Sequence, residues 1–343
     1  MTIETAVRES GFALGTINFG RIGERASCEL LDRFIALEKS VLNLTDPNYD
    51  GQSEAVIGRW LESTGMSDHV RIIAEVSGPD MGVPHAPNLS RDYIIPAVSR
   101  TLDRLGTESI DCLILPRPSF TVPLEDTLEG ISSLLEDGFI RSWGTSTFPA
   151  WMIVRLHSLA ERLGLASPVL EELPYNLADR RAEREALPAC DHLGLVVLAW
   201  APLAQGVLAG TYSFDQPPSP DSRALTGGPV YRDRVTLEAV QLGADVKALA
   251  SSIGRTPAQL ACAWIRSRGT RIFPVVGCRT VAQLEEIATY SGDRLGVDEL
   301  SFIDEHLCQP GSHVANFYNT APWMLAERLG TSFLVHPEER SVD

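Results

Sequence analysis

Residues 110–145 read IDCLILPRPSFTVPLEDTLEGISSLLEDGFIRSWGT and contain one strand–helix–strand unit. The runs Ile110–Leu115 and Ile140–Thr145 have the length and apolar composition of buried strands. Between them, Pro123–Asp137 carries apolar residues at helical spacing. This order predicts two parallel strands joined by a helical crossover.

The same unit recurs along the chain. The eight candidate strands are Phe12–Thr16, Val41–Asp46, Val70–Ser77, Ile110–Leu115, Ile140–Thr145, Pro168–Leu173, Gly194–Trp200 and Arg271–Val276. The segments with helical spacing are Ser27–Lys39, Ser53–Thr64, Ser90–Leu105, Pro123–Asp137, Trp151–Leu163, Arg181–Leu187 and Val281–Tyr290. A further helix is predicted at Val297–Leu307, with Asp298 as its N-cap. Eightfold alternation predicts an α/β fold of the (β/α)8 TIM barrel class rather than an open doubly wound sheet.

Two segments interrupt this alternation within a predicted single domain of residues 1–343. Residues 214–234 are rich in proline and glycine, which predicts a surface loop. Residues 309–343 are irregular but contain Phe317, Trp323 and Phe333, so we expect this C-terminal tail to cover one barrel face. That face is either the ligand-binding mouth or part of the exterior.

The charge and composition of the chain limit the classes of partner that it is expected to bind. The formal net charge of −16 opposes binding to nucleic acid or to an anionic membrane surface. Neither a secretory signal nor an apolar stretch of about 20 residues is seen, so a cytoplasmic location is expected. The six cysteines have no CxxC pair or metal-ligand spacing, so we expect neither a disulfide framework nor a metal. The expected partner is a small-molecule substrate.

Four motifs occur in order along most of the chain: GTINFG at residues 15–20, QSE with IGR at 52–59, the stretch Pro202–Gly210, and QLEE at 283–286. Together they resemble the aldo-keto reductase family from about residue 12 to about residue 305. The resemblance implies a (β/α)8 barrel that binds NADP(H) and reduces aldehydes or ketones. It also implies a catalytic set of Asp, Tyr, Lys and His, with Tyr as the proton donor.

The resemblance places Asp46 at the catalytic aspartate and makes Tyr49 the candidate tyrosine. Tyr49 follows Asp46 by three residues instead of the usual five, so an exposed loop tyrosine is the alternative. Glu75 stands at the lysine position and Pro116 at the histidine position. The chain is expected to carry a degenerate catalytic tetrad.

Lysine is scarce in this chain, because Lys39 and Lys247 are its two lysines, both in predicted helices. A carboxylate beside Tyr49 would raise the pKa of the phenol by like-charge repulsion, so the usual relay should be weakened. Glu75 could itself act as an acid or a base, or it could form a salt bridge with Arg117. The loop histidines His85 and His313 are either replacements for the lost histidine or solvated side chains.

The resemblance implies that the cofactor is NADP. The contacts to the nicotinamide are expected to be weakened, because Thr147 and Glu172 stand where family members have an Asn and a Gln. By resemblance, Ser146 and Glu172 contact the nicotinamide amide and Trp200 stacks on the ring. The remaining cofactor residues are Leu203, Gln205 and Gly206 at the pyrophosphate, and Arg279, Gln283 and Glu286 at the adenosine 2′-phosphate. Helix-capping polarity is the alternative for Arg279 and Gln283.

Three functions remain open. The first is an NADP(H)-dependent oxidoreductase with a non-standard relay, acting on a small organic substrate. Nearly all of the Lys and Arg residues in this chain are arginines, which is typical of a protein from a GC-rich bacterial genome. Such an origin is compatible with biosynthesis of a secondary metabolite. The second is a non-redox dehydratase, isomerase or cyclase that uses Glu75, Tyr49 and Asp46, with Glu171 or Glu172. The third is a silent cofactor-binding or regulatory homologue.

Overall fold

A computed structural model describes residues 1–45, 51–75, 88–213, 218–220, 222, 225, 235–290 and 292–307. The tail at 309–343 lies outside these ranges, as does most of the segment 214–234. The predictions for both segments therefore stay predictions.

Eight parallel strands form a closed barrel in sequence order, with β1 paired to β8. The strands are β1 (Ala13–Gly15), β2 (Val41–Thr45), β3 (Arg71–Glu75), β4 (Cys112–Pro116), β5 (Trp143–Ser146), β6 (Leu170–Pro174), β7 (Val196–Trp200) and β8 (Ile272–Val276). Each lies on one of the eight predicted runs. The predicted barrel class is confirmed.

Helices surround the barrel. They are α1 (Ile3–Ser10), α2 (Phe19–Ile22), α3 (Glu24–Ala36), α4 (Gln52–Thr64), α5 (Arg91–Leu105), α6 (Leu124–Glu136), α7 (Ala150–Leu163), α8 (Ala186–Leu193), α9 (Leu237–Ser252), α10 (Pro257–Ser267), α11 (Val281–Ala288) and α12 (Val297–His306). Short 3-10 turns occupy Met66–His69, Arg181–Glu183 and Ala204–Gly206.

Two predictions about helices are wrong. The segment Arg181–Leu187 is not one helix, because Glu185 has φ −140° and separates the 3-10 turn from α8. Asp298 is not the N-cap of α12, because it lies inside the first turn. Gly296 is the N-cap, and its N–H donates to the Glu299 carboxylate at 2.7 Å.

The buried apolar residues form two layers, one inside the barrel and one between the strands and the outer helices. Helix α1, which was not predicted, supplies Ile3, Ala6 and Val7 to the inner layer. These side chains share a cluster with Ala13 and Val41, the first residues of β1 and β2. The helix therefore closes the N-terminal end, and the opposite end is left as the mouth.

Candidate active site

Strained backbone marks the carboxyl ends of several strands. Arg117, Thr147 and Ala201 directly follow β4, β5 and β7, and all three have positive φ values, of 39°, 61° and 54°. Non-glycine residues adopt this conformation rarely, and such strain clusters at functional sites. The Asn176 side chain holds one of these turns, because its Nδ2 donates to the Ala201 carbonyl at 3.0 Å.

Glu75 is the last residue of β3 and is partly exposed. It lies two residues beyond Ile73, which belongs to the inner apolar layer, so its side chain points into the barrel mouth. Desolvation raises the pKa of the carboxyl to about 7, against the opposing charge of Arg117. A carboxyl group with this pKa is part acid and part base at neutral pH, and it lies at the position where the sequence resemblance predicts a lysine.

Glu172 also points inward, since it lies two residues beyond the inner-layer residue Leu170. It is 3% exposed, and Asn43 Nδ2 on β2 donates to its Oε1 across the barrel. Burial and the nearby charge of Glu75 hold the pKa of Glu172 well above its usual range. No role was predicted for Asn43 from the sequence. Asn43 lies two residues after Val41, which is in the inner layer, and this spacing indicates that its side chain also points into the barrel.

Glu171 faces the opposite way, towards the outer helices. Its carboxylate accepts hydrogen bonds from the Thr145 hydroxyl and from the backbone N–H of Phe148 at 2.9 Å. Burial, and to a lesser extent the charge of Glu171, raise the pKa of the Cys190 thiol on α8, so Glu171 lies near the outer layer. Glu171 is completely buried on the outer side of the barrel, away from the mouth, so its predicted acid–base role as an alternative to Glu172 is wrong. Its hydrogen bonds instead stabilise the turn after β5.

The three residues expected at the nicotinamide end of the cofactor lie on adjacent strands. Ser146 on β5 pairs in register with Glu172 on β6, and Pro174 on β6 pairs with Trp200 on β7. Ser146 is 5% exposed, and Trp200 is half-buried against the inner layer. A hydroxyl, a carboxyl and an indole ring therefore come together at one side of the mouth.

The candidate pyrophosphate segment has an unusual backbone. Gln205 and Gly206 have φ values of 61° and 97° in a 3-10 turn that follows Leu203. The Gln205 side chain has a buried Oε1 with no partner within the described structure. A glycine-containing turn of this kind suits phosphate oxygens, whereas the unpaired amide oxygen is an acceptor and suits a hydroxyl donor of a ligand. These residues are therefore compatible with a dinucleotide.

The candidate adenosine end begins directly after β8. Arg279 is exposed, and its backbone N–H donates to Gln283 Oε1 at 2.9 Å. Thr280 caps α11 by accepting from the Gln283 N–H. The side-chain oxygen of Gln283 is therefore engaged in a hydrogen bond at the start of α11. The guanidinium of Arg279 lies at the surface. Glu286 lies one turn further along α11.

Other predicted site residues lie outside the described ranges, namely Asp46, Tyr49, His85 and His313. Both lysines are described. Lys39 lies just before β2, over the Phe12 ring at 5.9 Å, and Lys247 lies on α9 beside Gly210. Neither stands at the carboxyl end of β3.

Within the described ranges, no helix is long and apolar enough to cross a membrane. The same residues contain no group of three or more His, Cys, Asp or Glu side chains arranged for a metal ion.

Comparison with known proteins identifies the family of this chain. The model of the Aldo/keto reductase family matches residues 12–307. An uncharacterized oxidoreductase of Bacillus subtilis is 27% identical over 92% of this chain and 97% of its own length. An aldo-keto reductase named for NADP(+) in Schizosaccharomyces pombe is 28% identical over 78% of each chain. A probable voltage-gated potassium channel subunit beta of Arabidopsis thaliana is 30% identical over 69% of this chain and 73% of its own. The family match covers most of the barrel, and the chain therefore belongs to the aldo/keto reductase family.

Proposed function

We propose that this protein is an NADP(H)-dependent oxidoreductase that acts on a small organic carbonyl compound and uses Glu75 as its acid–base group. The observation that carries the proposal is the position of Glu75 in the barrel mouth, with its pKa raised to about 7. Family membership and a relative named for NADP(+) support the cofactor.

Different residues around the mouth would bind different parts of the dinucleotide. Ser146, Glu172 and Trp200 would hold the nicotinamide, and Leu203, Gln205 and Gly206 would hold the pyrophosphate. The 2′-phosphate would lie at Arg279, whose planar guanidinium suits phosphate oxygens, with Gln283 and Glu286 at the adenosine. When bound, the dinucleotide supplies a hydride for the carbonyl carbon.

Glu75 completes the reduction by protonating the carbonyl oxygen. Its protonated form gives up the proton and becomes a carboxylate, which the guanidinium of Arg117 stabilises. A carboxyl group with a pKa near 7 is a much stronger acid than a phenol with a pKa near 10. The reverse reaction, oxidation of an alcohol, uses the ionised form as the base.

Titration with NADPH, followed by the nicotinamide fluorescence, tests the binding part of this proposal. We expect saturable binding, and we expect Glu75→Gln to bind NADPH as well as the parent protein while losing aldehyde- or ketone-dependent NADPH oxidation. Absence of NADPH binding at high cofactor concentration would overturn the proposal.

A second candidate is a non-redox acid–base enzyme. The observation that favours it is the charge interaction between Glu75 and Glu172, two carboxyl groups at one mouth. This candidate predicts turnover without any dinucleotide, abolished by Glu75→Gln. A third candidate, a regulatory homologue, is suggested by the relative named as a channel subunit and predicts NADPH binding without turnover.

A further inference from the structure

Arg266 is a buried cation at the closed, N-terminal end of the barrel. It lies near the end of α10 and is 8% exposed. Its Nη1 donates to the carbonyl of Ile272, the first residue of β8, at 3.3 Å. Its guanidinium carbon lies 4.2 Å from the centroid of the Phe273 ring, which belongs to the inner apolar layer. The side chain therefore extends from an outer helix to the start of a barrel strand, at the end that α1 closes.

The hydrogen bonding of this guanidinium is incomplete. Within the described part of the chain, Nε of Arg266 is buried and has no hydrogen-bond partner. The Phe273 ring attracts the cation, but this attraction does not supply an acceptor oxygen for the Nε–H. Buried polar groups in folded proteins nearly always have a hydrogen-bond partner, so this N–H is suited to an acceptor oxygen of a ligand.

Two further arginines lie close to this side chain. Arg294, between α11 and α12, donates from Nη2 to the carbonyl of Gly269, just after α10, at 3.3 Å. Arg8 lies in the last turn of α1. Burial, and then the charges of Arg294 and Arg8, lower the pKa of Arg266 to about 10. The guanidinium is still a cation at neutral pH, so three positive charges from three separate segments come together here.

The negative charge at this end of the barrel is smaller than the positive charge. Glu4 on α1 accepts from Arg8 at 3.0 Å and from Arg271 at 3.1 Å. Among the described residues, Glu4 is the carboxylate in ion-pair contact with these arginines, and neither Arg266 nor Arg294 shares it. A buried cation without an anionic partner is costly, so an anion bound beside Arg266 would be stabilising.

The geometry of Arg266 suits an oxyanion. A guanidinium binds phosphate or carboxylate through two N–H groups along one edge. Because Nη1 is used by Ile272, the edge formed by Nε and Nη2 can bind two oxygens of a ligand. The additional charges of Arg8 and Arg294 favour a dianion such as phosphate over a singly charged carboxylate.

We propose that Arg266, together with Arg8 and Arg294, forms an anion site at the closed end of the barrel that binds inorganic phosphate or the phosphate group of a small phosphomonoester. This site lies at the end opposite the mouth and does not depend on the proposed oxidoreductase function. Phosphate bound there would connect α1 with α10. Because it binds the folded protein, it would also stabilise the barrel against unfolding.

Calorimetric titration with inorganic phosphate, with chloride used to hold the ionic strength constant, measures the affinity directly. We expect saturable binding and a Tm that rises with phosphate concentration. Arg266→Leu keeps an apolar contact for Phe273 but removes the charge and the N–H donors, so its Kd for phosphate should be at least tenfold higher. In chloride alone this variant should be at least as stable as the parent protein, because an uncompensated buried charge is lost.

Arg279→Met is the matched control, since phosphate could also bind at the exposed guanidinium proposed for the cofactor. The effect of phosphate on Tm should persist in Arg279→Met and disappear in Arg266→Leu. Arg294→Met changes an exposed side chain and should also raise the Kd while leaving the fold intact. A parallel titration with glycerol 3-phosphate distinguishes the two ligand sources, because tighter binding than that of inorganic phosphate indicates a phosphomonoester site.

Several results would overturn this inference. One is a parent protein whose Tm and calorimetric signal do not respond to phosphate. Another is an Arg266→Leu variant that binds phosphate with the Kd of the parent protein, or an Arg279→Met variant that loses all phosphate binding. If Arg266→Leu does not fold, Arg294→Met and Arg8→Met decide the question, and the parent Kd in both would contradict the site. NADPH titration of the same variants keeps this test separate from that of the proposed function.

Discussion

Removal of the Arg117 charge should shift the pH dependence of catalysis. An ordinary glutamate with a pKa of 4.5 is protonated in about one molecule in 300 at pH 7, whereas Glu75, with a pKa of about 7, is protonated in about half. Desolvation of this carboxyl group thus increases the fraction in the proton-donating form by about two orders of magnitude. Arg117 opposes this effect, since its charge favours the carboxylate.

Arg117→Met removes that opposing charge and keeps a long unbranched side chain at the positive-φ position. The pKa of Glu75 should rise above about 7, and the alkaline fall in kcat/KM for carbonyl reduction should move to higher pH. The acid limb of alcohol oxidation, which needs the carboxylate, should move in the same direction. NADPH absorbance measured across the pH range gives both profiles.

Arg25→Met is the matched control, because Arg25 is exposed on α3 and its removal changes the net charge equally. Its profile should superimpose on that of the parent protein. Glu75→Gln should lower turnover by about 100-fold or more and abolish the alkaline limb. Coincident profiles for Arg117→Met and the parent protein, or an alkaline limb retained in Glu75→Gln, would refute the assignment of Glu75.

Three further variants test the supporting structure. Glu171→Ala leaves the buried Phe148 N–H without its acceptor and should lower the free energy of unfolding by about 1–3 kcal/mol in urea denaturation. Asp304→Ala removes the carboxylate shared by Arg180 and Arg268 and should cost about 1 kcal/mol in the same assay, since this network is partly exposed. Arg279→Ala should raise the Kd of NADPH roughly tenfold or more with little change for NADH, measured by fluorescence titration.

The barrel itself was predictable from the sequence. Each strand is a short apolar or β-branched run bounded by a polar or glycine-containing turn, and these signals are local. Helix α1 was missed because it has eight residues, and Ile3, Ala6 and Val7 form a narrow apolar face. Its burial comes from closing the barrel, which is a tertiary effect.

The site was predictable in part. Strand ends in a barrel lie at one mouth, so Glu75, Ser146, Glu172 and Trp200 could be placed there before any coordinates were known. The contact of Asn43 with Glu172 joins residues 129 positions apart, and no local pattern reports it. The outward direction of Glu171 needed the strand register, because a shift of one residue exchanges the two faces.

A crystal structure with bound NADP⁺ tests the central claim most directly. We expect the nicotinamide to stack on Trp200, with its carboxamide between Ser146 and Glu172 and the 2′-phosphate at Arg279. Glu75 should then face the reactive carbon of the nicotinamide across the mouth. Crystals soaked at saturating NADP⁺ that show an empty mouth, or a dinucleotide bound away from Trp200, would contradict the account.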